Sequence, residues 1–251
     1  MILRRYRFAA AALLTAALAA RPLAVGADAA ERGVDLALVM AVDVSESVNA
    51  GEYELQHEGI ARAFETLPLV DALHAGRHGA IEVAVMEWSD RDKQAVTVEW
   101  TRISDRASAA AFAARVRATR RPSRGLTAIG DALFAAQALL GRAPEPAERQ
   151  VVDVSGDGMA NIGPPVDAVR DELVAAGITV NGLAIVADEP WIESYYEQYI
   201  IGGPSAFLLR AEGYQSFATA MQQKLLSEVA GLPPPRSRRL AATERPRDQM
   251  Q

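Results

Sequence analysis

The stretch Val34 to Val42 constrains this chain more than any other. It is an almost unbroken aliphatic run, VDLALVMAV. A strand with one wet face alternates apolar and polar residues, whereas a continuous run fits a strand covered on both faces. Such strands belong to parallel sheets sandwiched between helices. Ile81 to Trp88 and Gln94 to Trp100 are β-branched or aromatic, and the short polar link Ser89 to Lys93 makes them a hairpin. Val151 to Val154, Ile178 to Ala187 and Ala206 to Leu209 supply three more short strands.

Helical patterns lie between them. Asn49 followed by Glu52 has the form of a capping box, and Ile60, Phe64 and Leu67 then fall on one face. Ala107 to Arg117 is rich in strong helix formers. Ile129, Leu133, Ala136 and Leu140 recur at helical spacing, as do Tyr214, Phe217, Met221 and Leu225. Val166, Val169 and Leu173 follow Pro164-Pro165, where proline suits a first turn. No internal repeat is visible. The alternation predicts one α/β domain, doubly wound, with a mostly parallel central sheet, one antiparallel edge strand and helices on both faces.

Composition narrows the function. The chain is 50% hydrophobic and 23% charged, a balance of folded rather than disordered proteins. It has no cysteine, which excludes a disulfide scaffold, a zinc–thiolate site, an iron–sulfur cluster and a lipid-modified N-terminal cysteine. Three histidines leave little room for a histidine metal cluster. His57 is expected at the surface or boundary of the first helix, and His74 and His78 in a loop around Gly76. Trp88 and Trp100 end strands and are expected to pack there.

Arg4, Arg5 and Arg7 precede an apolar run from Phe8 to Ala20 and small residues at Val25-Gly26-Ala27. This order predicts a secretory signal peptide over 1–27. The alternative is a membrane anchor, but a span needs about 20 residues. The Arg4-Arg5 pair loosely suits twin-arginine export. The body, 28–231, holds 17 basic and 30 acidic residues, which argues against nucleic-acid binding. The tail 232–251, rich in proline and arginine, is expected to be disordered. The folded domain is therefore set at 32–231, and the protein is expected in the periplasm or outside the cell.

The first strand ends in Asp43-Val44-Ser45-Glu46-Ser47. Alternate side chains point the same way, so Asp43, Ser45 and Ser47 can converge while Glu46 faces solvent. The carboxyl ends of strands are where open α/β sheets place ligands. A carboxylate and two hydroxyls are hard donors suited to Mg²⁺, Mn²⁺ or Ca²⁺. Thr127 in Gly125-Leu126-Thr127 precedes a helix, and Asp157 in Ser155-Gly156-Asp157-Gly158 follows a buried strand. Any one of these residues alone is usually a cap or turn residue. Three such pieces, each at a strand-to-helix junction, point to one site.

Asp43-x-Ser45-x-Ser47, then Thr127, then Asp157-Gly158 resembles the metal-ion-dependent adhesion site of von Willebrand factor type A domains. The resemblance spans roughly Val34 to Gly231. Within that superfamily the chain is most similar to exported bacterial proteins that carry the domain alone and lack an assigned function, as Val151 to Gly158 and Asn161 suggest. The resemblance implies that Ser45, Ser47 and Thr127 offer hydroxyls to a divalent cation, and that Asp43 and Asp157 bind it directly or through water. It further implies an open position that takes an Asp or Glu carboxylate of a partner protein, with binding as the output. One departure is Gly156, where the family often has threonine.

A metal-dependent hydrolase is the competing reading, and a structural module without a cation is a third. No histidine lies near the motif in sequence, and no Gly-x-Ser-x-Gly, phosphate loop or dinucleotide fingerprint is present. The chain is therefore read as a binding module rather than an enzyme, and no catalytic residue is assigned. The irregular segment Asp188 to Pro204 holds Trp191, Tyr195, Tyr196 and Tyr199. It leaves the sheet on the same face as the motif and is expected either to form a partner-binding rim or to pack over the sheet edge.

Overall fold

The computed structural model describes residues 33–187 and 189–232. The expected signal peptide, 1–27, and the expected disordered tail beyond Leu232 lie outside the described residues.

The chain runs β1 (Leu36–Asp43), α1 (Ala50–Phe64), α2 (Leu67–Ala75), β2 (Ile81–Trp88), β3 (Gln94–Ile103), α3 (Arg106–Ala118) and α4 (Ile129–Leu140). It continues through β4 (Gln150–Gly156), α5 (Val166–Ala175), β5 (Thr179–Ile185), α6 (Trp191–Tyr195), β6 (Leu208–Ala211) and α7 (Tyr214–Ala230). A π-helical turn, Tyr196–Ile200, extends α6. The six strands lie in the order β3-β2-β1-β4-β5-β6. β3 is antiparallel to β2 and every other pairing is parallel. The expected doubly wound sheet with its antiparallel edge is what forms.

All eight residues of β1 are buried. Alternate side chains feed opposite layers. Leu36, Leu38, Met40 and Val42 meet Ile60, Phe64, Phe112, Phe217 and Met221 from α1, α3 and α7. Ala37, Val39 and Ala41 meet Leu133, Leu140, Val169 and Leu173 from α4 and α5, with Ile200 of the π turn. This double covering is why the run is aliphatic throughout. The chain winds outward from β1 to β3, then returns to β4 on the other side of β1. The loops leaving β1 and β4 therefore diverge and leave a crevice at their carboxyl ends.

Several local expectations need correction. Leu67 does not continue the first helix: α1 stops at Phe64, and Leu67 is 62% exposed at the start of α2. Pro68 would lack the N–H for a continuing helix and would strike the carbonyl of Phe64. His57 is buried, with Nε2 3.1 Å from Glu87 Oε1 and Nδ1 2.8 Å from the Tyr53 carbonyl. It sits on the apolar stripe with Ile60 and Phe64, so helical spacing carried the signal. His74 lies in the last turn of α2, not in a loop. The segment after β5 is helical from Trp191 to Ile200. β3 runs on to Ile103, and β6 starts two residues later than expected, at Leu208.

A buried ionic cluster clamps α7 to the sheet. Lys224 Nζ lies 2.8 Å from Asp153 Oδ1 on β4 and 2.5 Å from Glu228 Oε1. Asn181 of β5 donates to the same Glu228 oxygen at 3.1 Å. Burial, aided by the charge of Glu228, pushes the Asp153 carboxyl up to about 7.

Candidate metal centre

Asp43 closes β1 with its side chain fully buried. Its Oδ1 accepts the Ser45 backbone N–H at 2.7 Å, an Asx turn that bends the chain off the strand. The Ser45 and Ser47 hydroxyls are then 3.2 Å apart. Ser47 Oγ donates to Asp157 Oδ1 at 2.7 Å across 110 positions of sequence. Asp157 Oδ2 accepts from the hydroxyl of Tyr214, the first residue of α7, at 2.8 Å. Glu46 points to solvent. Four of the five predicted residues thus form one connected group at the crevice between β1 and β4.

Thr127 arrives by its backbone. Glu46 N–H donates to the Gly125 carbonyl at 2.9 Å, and Ala128 N–H to the Ser89 carbonyl at 2.8 Å. Asn161 then brackets Thr127: its Oδ1 accepts from Thr127 N–H at 2.9 Å, while its own N–H donates to Thr127 O at 3.1 Å. Among the described residues no hydrogen bond joins the Thr127 hydroxyl to the other four. Arg121 fixes the serine loop from below, donating to the carbonyls of Val48 at 2.7 Å and of Val44 and Ser45 at 2.5 Å. Gln56 Nε2 donates to the Asp43 carbonyl at 3.1 Å. Arg121, Gln56 and Tyr214 carry no motif signal, because each supports the loop from a distant helix or turn.

Burial pushes the Asp43 carboxyl up to about 7, and the nearby charge of Asp157 pushes the same way. The Ser45 hydrogen bond and the charge of Arg121 only partly oppose this. Asp43 Oδ2 is buried without a hydrogen-bond partner. A buried, unpaired carboxylate oxygen beside two hydroxyls and a second carboxylate is a donor set that a hard divalent cation fits. Among the described residues there is no cluster of three or more His, Cys, Asp and Glu side chains suited to a metal.

The departure at Gly156 has a steric reason. A β-carbon there would lie 2.7 Å from Tyr196 Oη and 2.8 Å from Asp43 Oδ2. No side chain fits without displacing both. The aromatic segment also divides. Tyr196 is fully buried and belongs to the core, while Trp191 is 46% exposed. The Tyr195 hydroxyl accepts from Ala160 N–H at 3.2 Å, and its ring lies 5.1 Å from that of Tyr199. Both rings line a cavity of about 400 Å³ with Asn161 and Pro164. Only Trp191, Tyr195 and Tyr199 remain available to a rim.

The model of the family described as "Protein of unknown function (DUF1194)" matches residues 33–233. The chain belongs to that family. No curated protein matches this DUF1194 chain. Its fold is that of von Willebrand factor type A domains. The von Willebrand factor type A structure from Catenulispora acidiphila is 17% identical with a TM-score of 0.56, over 79% of this chain and 43% of that one. Proximal thread matrix protein 1 from the mussel byssus, in a form with a zinc-occupied MIDAS motif, is 17% identical with a TM-score of 0.54, over 79% and 47%. Conserved hypothetical protein BatB from Bacteroides thetaiotaomicron is 19% identical with a TM-score of 0.53, over 78% and 99%. The DUF1194 chain spans about half the length of the byssus proteins it matches. Among its described residues, no helix is long and apolar enough to cross a membrane.

Proposed function

We propose that this chain is an exported protein-binding module of the adhesion type, acting in the periplasm or outside the cell after removal of residues 1–27. Asp43, Ser45, Ser47, Thr127 and Asp157 would hold Mg²⁺, or Mn²⁺ or Ca²⁺ in its place. When bound, the cation would supply a Lewis-acidic position for an Asp or Glu carboxylate of a partner protein. The neutral hydroxyls leave its charge only partly cancelled, which favours an anionic visitor.

One observation carries this reading: the hydrogen-bonded group Ser45, Ser47 and Asp157, set beside the unpaired Asp43 oxygen at the crevice of the sheet. The likeness to a byssus protein with a metal-occupied motif supports it. The chain's own residues do the preparatory work. Arg121 and the Asx turn hold the serine loop, Asn161 fixes the Thr127 backbone, and Tyr214 orients Asp157. Catalysis is not favoured. His57 and His78 contact Glu87 and Glu148, not the serine hydroxyls of the centre, which a general base would have to reach.

Calorimetric titration of the purified chain with Mg²⁺, Mn²⁺ and Ca²⁺ tests the proposal. Binding should occur, and Ser47→Ala and Asp157→Ala should abolish it. A cation at a hundred times its Kd should stabilise the fold by about 2.7 kcal/mol. No heat and no thermal shift with any of the three would favour the structural module. Capture of a partner from envelope extract should then require the cation and fail in chelator. Metal-dependent turnover of phosphate or ester substrates would instead favour the hydrolase.

A further inference from the structure

The basic residues of this acidic body are unevenly spread. Between 106 and 130 there are six arginines and no acid, although 28–231 as a whole holds 17 basic and 30 acidic residues. Four of the six, Arg117, Arg120, Arg121 and Arg124, line a cavity of about 620 Å³ against α1. The neighbouring rings of Tyr53 and His57, with centres 3.9 Å apart, form part of its wall. Glu54 and Glu58 also reach it, but Glu58 is already paired with Arg62 and Arg117. Arg121 is committed to the serine loop through the carbonyls of Val44, Ser45 and Val48. Arg120 and Arg124 are exposed, and among the described residues neither side chain has an ion pair or a hydrogen bond. Crowding like charges without acids to match them works against stability, so the fold does not account for this cluster.

We propose that the cavity is a second anion subsite beside the metal centre, taking an acidic side chain of the same partner segment that brings its carboxylate to the cation. That placing rests on the metal-binding reading above, whereas the charge of the cavity does not. The same two loops build both places. Tyr53 follows Ser47 in the first helix, Arg124 lies just before Thr127, and Glu46 N–H ties the loops together at the Gly125 carbonyl, 2.9 Å away. Guanidinium forks match carboxylates with paired hydrogen bonds. A cation alone accepts any carboxylate, whereas a second charged subsite selects partners whose acids are correctly spaced. The occupant is therefore an acidic stretch of protein carrying at least a pair of Asp or Glu side chains.

A fluorescein-labelled octaglutamate peptide, an anion that the acidic body otherwise repels, tests the proposal by anisotropy with the full chain. In chelator the wild type should bind it, with an affinity that falls as salt rises. The Arg120→Ser/Arg124→Ser double variant should bind it about tenfold more weakly, with its melting temperature and Mg²⁺ calorimetry unchanged. Arg106→Ser/Arg142→Ser removes the same charge from positions outside the cavity and should bind as the wild type does. Mg²⁺ should tighten peptide binding by all three proteins. Equal affinity in the two double variants would overturn the inference, and so would binding of anionic phospholipid vesicles with none of the peptide. If the cavity variant loses the peptide but none of the three cations changes its binding or gives heat, the metal-binding reading falls and the arginine subsite stands.

Discussion

Replacing Asp43 by Asn should stabilise the metal-free protein at pH 8 and abolish its response to Mg²⁺. The Asp43 carboxyl is raised from an ordinary 3.8 to about 7, chiefly by burial and next by Asp157. A raised folded-state value means that the native protein holds the proton more tightly than the unfolded chain. Stability from this group is therefore full below about pH 4 and is lost as pH rises through about 7. Three pH units at roughly 1.4 kcal/mol each give about 4 kcal/mol of destabilisation once the charge has formed. Asn removes the charge, and its carbonyl oxygen can keep the bond from Ser45 N–H. Its amide group takes the place of the unpaired Oδ2, which costs about 1 kcal/mol. The net expectation is a gain of about 2–4 kcal/mol at pH 8, falling to a loss of about 1 kcal/mol near pH 4, where only the cost of the amide remains. Urea unfolding of both proteins in chelator at pH 8, 6 and 4 measures it. With Mg²⁺ present, the wild type should gain stability and the variant should not. A variant less stable than the wild type at pH 8 in chelator, or a gap independent of pH, would refute the reasoning.

Lys224→Met should destabilise by about 3–5 kcal/mol at pH 8, because Asp153 and Glu228 would be left buried without their cation. The loss should be smaller at pH 5, where Asp153 takes up a proton; denaturant unfolding at the two values checks this. Tyr196→Ala removes a fully buried aromatic ring and should cost about 3–5 kcal/mol in thermal or urea unfolding. Tyr214→Phe breaks the bond to Asp157 and should cost about 1.5–3 kcal/mol. Hydrogen exchange should then quicken in the first turn of α7, and unchanged exchange there would show that the bond does not hold the helix.

Much of the fold was legible because its signals are local. The aliphatic run of β1, the Ser89–Lys93 link and the helical spacing of Ile129, Leu133, Ala136 and Leu140 each report a period that a single element imposes. Asp43, Ser45, Ser47 and Asp157 were legible as types at strand ends, whereas Thr127, expected at a strand-to-helix junction, lies in the loop between α3 and α4. Other buried groups also carry a local signal. Lys224 and Glu228 sit on the same stripe of α7 as Phe217, Met221 and Leu225, so helical spacing already placed a charged pair against the core. His57 did the same on α1. The break at Leu67 was written in Pro68. Tyr196 falls four residues from Ile192 and from Ile200, so helical spacing also placed it on the buried face of its segment.

The sequence by itself determined which segments become strands covered on both sides, and which oxygen-bearing side chains stand where those strands end. Both follow from side-chain periodicity and turn chemistry within a few residues. Only the tertiary structure decided that β4 returns to lie against β1, and so that Ser47 meets Asp157, that Tyr214 reaches back from α7 and that Gly156 makes room for Tyr196. Those contacts depend on strand order and on packing between distant elements, which no local pattern encodes.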